Sequence, residues 1–306
     1  MTNKRIFSSP RMGIYTDLVK DFFTELGINY VLPPPITQKT IKLGVRHSSD
    51  MICFPFKVTL GSHIEALEAG ATDLLMFDSA GTCRYTNYHF TQKQILEDLG
   101  YKFKMHVISA KTIFPFLKST GCNRLKALMI ARKHWKKIKE VERIHYGNPE
   151  KAEIKVVLVG EIFTIHENKI NYDIIKKLEK MGVGVKVSLL LSDFIKHIIP
   201  FSKDEYTPFK KEAKEYLSSD IAGHGKHTLW DTIDHCKQGY DGVIHLLPLS
   251  CAPECLIEML IDRVCRKYDV PLYSFPIDEN QFEVGFDTRI ETFVSLLKRR
   301  KKRRVS

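Results

Sequence analysis

The chain has 306 residues, 43% of them apolar and 27% charged, which is enough to bury a substantial core and favours two domains. Its net charge of +11 invites a nucleic-acid reading, but seven of the basic residues form one run, "KRRKKRR" at 298–304. Without that run the balance is 40 basic against 36 acidic residues, so the excess is assigned to a solvated tail over 298–306. Binding to RNA or DNA is expected, if at all, only through that tail, because no aromatic-flanked basic motif accompanies it.

In chain order, "YTDLVKDFFTELG" (15–27) spaces Leu18, Val19, Phe22, Phe23 and Leu26 along one helical face and ends on Gly27. "INYVL" is a short strand halted by Pro33, Pro34 and Pro35. "SHIEALEAG" is a helix, "TDLLMFD" a buried strand, "TQKQILEDLG" a helix and "FKMHVIS" a strand. Helix, glycine and strand repeated in this way describe an α/β unit with a mainly parallel sheet. A long polar helix is expected over 117–150 as a helical connector, broken by Gly147, Asn148 and Pro149.

The alternation restarts with "EIKVVLVGEIF" (strand), "YDIIKKLEKMG" (helix) and "VGVKVSLLL" (strand). An irregular stretch (200–239) is expected to pack helices on the sheet. "DGVIHLLPL" (strand), "PECLIEMLIDRVCRKYD" (helix), "VPLYSFPID" (strand) and "TRIETFVSLLKRR" (helix) follow. The domain reading is therefore 1–116 and 151–297, joined by 117–150 and followed by the tail. The opening "MTNKRIFSSP" has no apolar core and no apolar run approaches roughly 18 residues, so the expectation is a cytoplasmic protein with no membrane span.

Seven cysteines without a secretory signal argue against a disulfide framework. Cys53, Cys83 and Cys251 each fall on a loop next to a strand or ahead of a helix, where open α/β sheets bind ligands. Two such edges facing each other across a cleft would bring three thiolates to one cluster. Gly81, Thr82 and Ser250 would let backbone N–H groups approach sulfur, and Lys57 and Arg84 would add positive charge. The plainer reading of a lone cysteine in an apolar stretch is a buried structural thiol, and Cys122, Cys236 and Cys265, in predicted helices, are read that way. Cys255, one turn after Cys251, remains an alternative to it. With His224 and His227 it also permits a zinc reading, although the order matches no common zinc module. "DIAGHGKH" is not a P-loop, because Asp220 stands where glycine is required, and "LVGEIF" lacks the dinucleotide fingerprint.

The stretch 11–88, containing "CFPFK" and "GTCRY", resembles the 2-hydroxyacyl-CoA dehydratase family, as do "GVIHLLPLSCAPE" and "IDENQFEVGFDTRIETFVSLL". The likeness is to the 2-hydroxyglutaryl-CoA dehydratase D-component, and closest to the uncharacterised branch related to the dehydratase activases. It implies two Rossmann-like α/β domains holding a [4Fe–4S] cluster in the cleft on Cys53, Cys83 and Cys251, the last favoured over Cys255 by likeness to the family's Cys-x-Pro-Glu. It further implies an ATP-hydrolysing iron–sulfur activase as partner, passing low-potential electrons for reduction or dehydration of an acyl-CoA-like substrate. The family's ketyl-radical chemistry would make this chain a dehydratase-like lyase or a reductase component, in a homo- or heterodimer. Glu254, beside Cys251, is the one candidate acid or base, and its plainer role is an acidic residue favoured at a helix N-terminus. The chain is shorter than characterised dehydratase subunits, and Thr82 stands where the branch often has proline. Two other functions remain open: an electron-transfer or scaffold subunit without its own substrate, and a basic-tail nucleic-acid-binding protein with structural cysteines.

Overall fold

Among the described residues the apolar strands form two parallel sheets, and glycine-ended helices connect them. The computed structural model of the chain describes residues 5–77, 83–109, 111–193, 211–218, 221, 223–280 and 283–305. The chain divides into two compact units, Met1–Val141 and Glu142–Ser306.

Unit 1 contains β1 (Phe7–Ser8), α1 (Thr16–Glu25), α2 (Gln38–Arg46), α3 (Phe54–Glu68), β2 (Asp73–Phe77), α4 (Tyr88–Asp98), β3 (Lys104–Ile108) and α5 (Ile113–Ser119). Its strands run parallel in the order β1-β2-β3, and the expected "INYVL" strand contributes a single parallel bridge from Tyr30 to Phe7 on the outer side of β1. Alternation along β2 divides the core between the two faces of the sheet. Leu75 joins Phe7, Phe23 and Phe116, while Leu74 and Met76 join Phe56, Leu60 and Leu96.

Helix α2 was not anticipated by the apolar pattern. It is started by Thr37, whose hydroxyl accepts from the Lys39 N–H in a reciprocal cap with Thr40. Helix α3 begins at Phe54, well before "SHIEALEAG", because Pro55 suits a first helical turn and Cys53 stands outside it as the cap. The two helices touch backbone to backbone. A Cβ on Gly44 would lie 1.6 Å from the Lys57 carbonyl oxygen, and one on Gly61 would lie 1.9 Å from that of Thr40.

Helix α6 (Arg124–Tyr146) is shorter than the expected connector and straddles the division between the units. Cys122 precedes it, outside any helix, because Gly121 ends α5 with a positive φ.

Unit 2 contains β4 (Ile154–Gly160), α7 (Ile162–His166), α8 (Ile174–Lys180), β5 (Val183–Val187), α9 (Gly225–Lys237), β6 (Gly242–Pro248), α10 (Ala252–Lys267), β7 (Leu272–Ile277) and α11 (Glu283–Val305). The parallel order is β5-β4-β6-β7. Val157, Val159 and Val243 pack under α9 and α10 against Leu229, Ile233, Ile257 and Ile261. The α/β class with parallel sheets is as expected. Much of the irregular stretch, together with Asp220, Gly81 and Thr82, lies outside the described residues.

The basic run is helical and largely exposed. Residues 298–304 are the last turns of α11, where Lys298 donates to the Met181 carbonyl and Lys301 pairs with Asp241. Arg300 and Arg304 both pair with Asp269. The carboxylates that pair with the run lie 31 or more residues from their partners in sequence, beyond the reach of a local reading.

Candidate functional site

Open α/β sheets bind ligands at the carboxyl ends of strands, where the chain reverses its direction of travel across the sheet. In unit 2 the chain moves outward from β4 to β5 and then back to β6, so the reversal falls between β4 and β6. Gly160 ends β4 with φ +135°, and a Cβ there would lie 2.2 Å from the Leu246 carbonyl oxygen. Beyond β6, Ser250 has φ 60°, a conformation few non-glycine residues adopt, and Cys251 follows as the N-cap of α10. Unit 1 repeats the plan: Tyr30 bridges one side of β1, β2 pairs with the other, and Cys83 is the first described residue after β2.

All three cysteines are therefore N-caps with extended backbones. Cys53 (φ −65°, ψ 146°) caps α3, Cys83 (φ −66°, ψ 143°) caps the short 3-10 turn Arg84–Asn87 that leads into α4, and Cys251 (φ −76°, ψ 99°) caps α10. A helix start leaves backbone N–H groups without intrahelical acceptors, which favours negative charge beside it.

Within unit 1 the Cys53 and Cys83 segments lie side by side. Arg84 donates from Nη1 to the Met51 carbonyl at 3.3 Å, and the Tyr88 hydroxyl touches the Cys53 sulfur. The Tyr88 ring stands edge-on to Phe56 at 4.9 Å and lies 5.0 Å from Tyr85. Gln92 ties α4 to the first turns of α3 through the Phe56 carbonyl (3.2 Å) and the Thr59 hydroxyl (2.8 Å). Lys57, on the first turns of α3, is 1% exposed.

Around Cys251 the neighbours are buried acids and histidines. Glu254 accepts from the Thr228 hydroxyl at 3.1 Å and lies 3.1 Å from His245 Nε2, so the candidate acid is held inside the fold. Glu161, directly after Gly160, caps α7 and accepts from the Phe163 and Thr164 N–H groups and the Thr164 hydroxyl. Burial pushes its carboxyl up and the Glu254 charge adds to this, against the lowering effect of those hydrogen bonds. His224 caps α9, and burial pushes its imidazole down, partly offset by Glu254. A Cβ on Gly225 would lie 2.9 Å from the Pro253 carbonyl oxygen, so the starts of α9 and α10 meet. Cys255 is exposed, and its thiol is pushed up by partial burial and then by Glu258 and Glu254.

None of the seven cysteines is paired in a disulfide. Cys236 and Cys265 are buried in the unit 2 core, where contact with Cys236 and then burial push the Cys265 thiol up. Among the described residues no group of three or more His, Cys, Asp or Glu side chains is placed to hold a metal ion, and that includes the zinc combination of His224 and His227 with Cys251 and Cys255. Tyr88, Glu161 and His245 escaped the sequence reading. Only Glu161 carried a local signal, as the residue after a glycine at a strand end.

Residues 11–77 match the model of the CoA enzyme activase uncharacterised domain (DUF2229). The match runs from before α1 to the end of β2 and includes Cys53; Cys83 and Cys251 lie beyond it. No curated protein sequence matches the chain. The likeness is thus to CoA-enzyme activase-related proteins in the broad sense, over less than a quarter of the chain.

Proposed function

We propose that this chain is an iron–sulfur protein of acyl-CoA chemistry, in which Cys53, Cys83 and Cys251 hold one [4Fe–4S] cluster. The observation that carries the reading is the shared placement of the three thiols. Each is an N-cap on an extended backbone, and two of them stand on adjoining segments of unit 1. The donor set fits: three cysteines, each with the N–H groups of a helical turn beside it, suit an anionic thiolate-ligated cluster. The activase-related likeness over residues 11–77 supports the acyl-CoA context.

Such a cluster supplies a one-electron store at low potential, and ligation by three thiolates leaves one iron without a protein ligand. An ATP-hydrolysing iron–sulfur activase would be the electron donor, and an acyl-CoA-like substrate would be reduced or dehydrated. The finer likeness to the dehydratase D-component belongs to this proposal. Within it Cys53, Cys83 and Cys251 bind, while Glu254, held by His245 and Thr228, shapes the start of α10.

A second reading is an electron-transfer subunit with no substrate of its own. It is favoured by the matched domain's description, which names an activase, and by the engagement of Glu254 inside the fold. A cluster spectrum indifferent to acyl-CoA esters would select it.

The deciding experiment is iron and acid-labile sulfide per chain after anaerobic purification, with a visible spectrum. About four of each with broad absorption at ~400 nm is expected. Negligible iron after attempted reconstitution would overturn the proposal.

A further inference from the structure

Tyr88 lies five residues beyond Cys83 in sequence, yet its hydroxyl touches the sulfur of Cys53. The phenol has little freedom to turn away. It is 3% exposed, its ring stands edge-on to Phe56, and Tyr85 packs beside it. The helix it begins is tied to α3 by Gln92, and the preceding turn is tied to the Cys53 segment by Arg84. The backbone that carries Cys83 therefore also aims a hydroxyl at Cys53.

A thiol and a phenol can each donate to the other. A metal-ligating sulfur has lost its proton and can only accept, so in the ligated state the tyrosine must be the donor. A hydrogen bond to a ligand sulfur draws electron density from it and stabilises the reduced, more negative cluster, which raises the reduction potential. Resting on the cluster reading above, we propose that Tyr88 is a positioning residue for Cys53, whose hydroxyl donates to the ligating sulfur, retains the metal and raises the potential of the cluster.

The experiment compares wild type, Tyr88→Phe and a variant carrying 3,5-difluorotyrosine at position 88, all loaded anaerobically. Iron content is measured first, followed by the midpoint potential and the rate of iron loss to a chelator. Tyr88→Phe keeps the ring and removes the donor. It should lower the potential and lose iron roughly tenfold faster, the low end of what losing an outer-shell partner costs in metal affinity. The fluorinated phenol is a stronger donor while it keeps its proton, so on the acid side of neutrality it should move the potential upward, a response that a purely packing role would not produce.

Loaded variants with the wild-type potential and release rate would overturn the role of Tyr88 and leave the cluster standing. Wild type that takes up no iron would remove the cluster reading, and this inference with it. Should Tyr88→Phe fail to fold, the fluorinated variant, which retains ring and hydroxyl, decides by the sign of its shift.

Discussion

The Glu254 carboxylate lies 3.1 Å from His245 Nε2, and neither side chain is more than 1% exposed. His245 stands midway along β6 and Glu254 in the first turn of α10, so their contact spans the loop that carries Cys251. The same carboxylate accepts from Thr228 on α9, and His245 Nδ1 lies 3.3 Å from the Ser274 hydroxyl on β7. Four elements of unit 2 are thereby pinned around one cysteine. Glu254→Ala would leave the imidazole and the threonine hydroxyl buried without this acceptor. We expect a loss of about 3 kcal/mol in urea unfolding, with Glu254→Gln costing clearly less. A change under about 0.5 kcal/mol in Glu254→Ala would show that the contact does not hold the loop.

The cysteine series separates ligands from packing. Cys53→Ser, Cys83→Ser and Cys251→Ser should each lose most of the iron and sulfide of the wild type. Cys236→Ala and Cys265→Ala remove buried core thiols and should keep full iron at a cost of about 1–2 kcal/mol in stability. Cys255→Ser should also keep it. Retained iron in any of the first three strikes that residue from the ligand set, and iron loss in Cys255→Ser would move the third ligand one turn along α10.

Gly44 and Gly61 let α2 and α3 meet at backbone distance. Alanine at either position would drive a methyl group into a carbonyl oxygen that the helix cannot move alone. Each substitution should cost about 3 kcal/mol or more in denaturant unfolding, since forced overpacking of this kind is expensive. Gly285, near the start of α11, has nothing within 4 Å of its Cβ position. Gly285→Ala should therefore stabilise by about 0.5–1 kcal/mol. Equal effects at the three sites would mean that α2 and α3 are not in backbone contact.

Asp231 is buried beside the Ser188 hydroxyl, and burial pushes its carboxyl up to about 7, against the lowering effect of that hydrogen bond. A raised carboxyl means that the folded state holds the proton more tightly than the unfolded one. This contribution is fully favourable below about pH 4 and declines as pH rises towards 7, after which it is level. Asp231→Asn removes the titration. The stability of the variant relative to wild type should therefore grow by a few kcal/mol between pH 4 and 7, at no more than about 1.4 kcal/mol for each pH unit crossed. The difference is the proper readout, because burial also pushes the imidazoles of His63, His166 and His235 down, which makes wild type lose stability on acidification for separate reasons. A difference that is flat across that range would place the Asp231 carboxyl in water.

The α/β alternation was legible because parallel strands buried on both faces read as nearly continuous apolar runs, as "VVLVG" and, apart from His245, "GVIHLLP" do, and because glycine closes the helices between them. Helix α2 was not legible. Its sequence, "QKTIKLGVR", is polar on most of its surface, and its short buried stripe is completed by α3. The ion pairs of the basic run were not legible for a different reason: Asp241 and Asp269 are supplied by loops distant in sequence.

By itself the sequence determined the class of fold, most of the run of elements and the three cysteines at loop ends, because these follow from local periodicity, from glycine and proline, and from residue type. Only the tertiary structure decided that each of the three caps a helical turn, that the Cys53 and Cys83 segments adjoin, and that Tyr88 reaches the Cys53 sulfur. It also decided that Glu254 faces inward to His245. Such pairings join residues far apart in the chain, and which partners meet depends on strand order and helix packing, quantities that no window of neighbouring residues encodes.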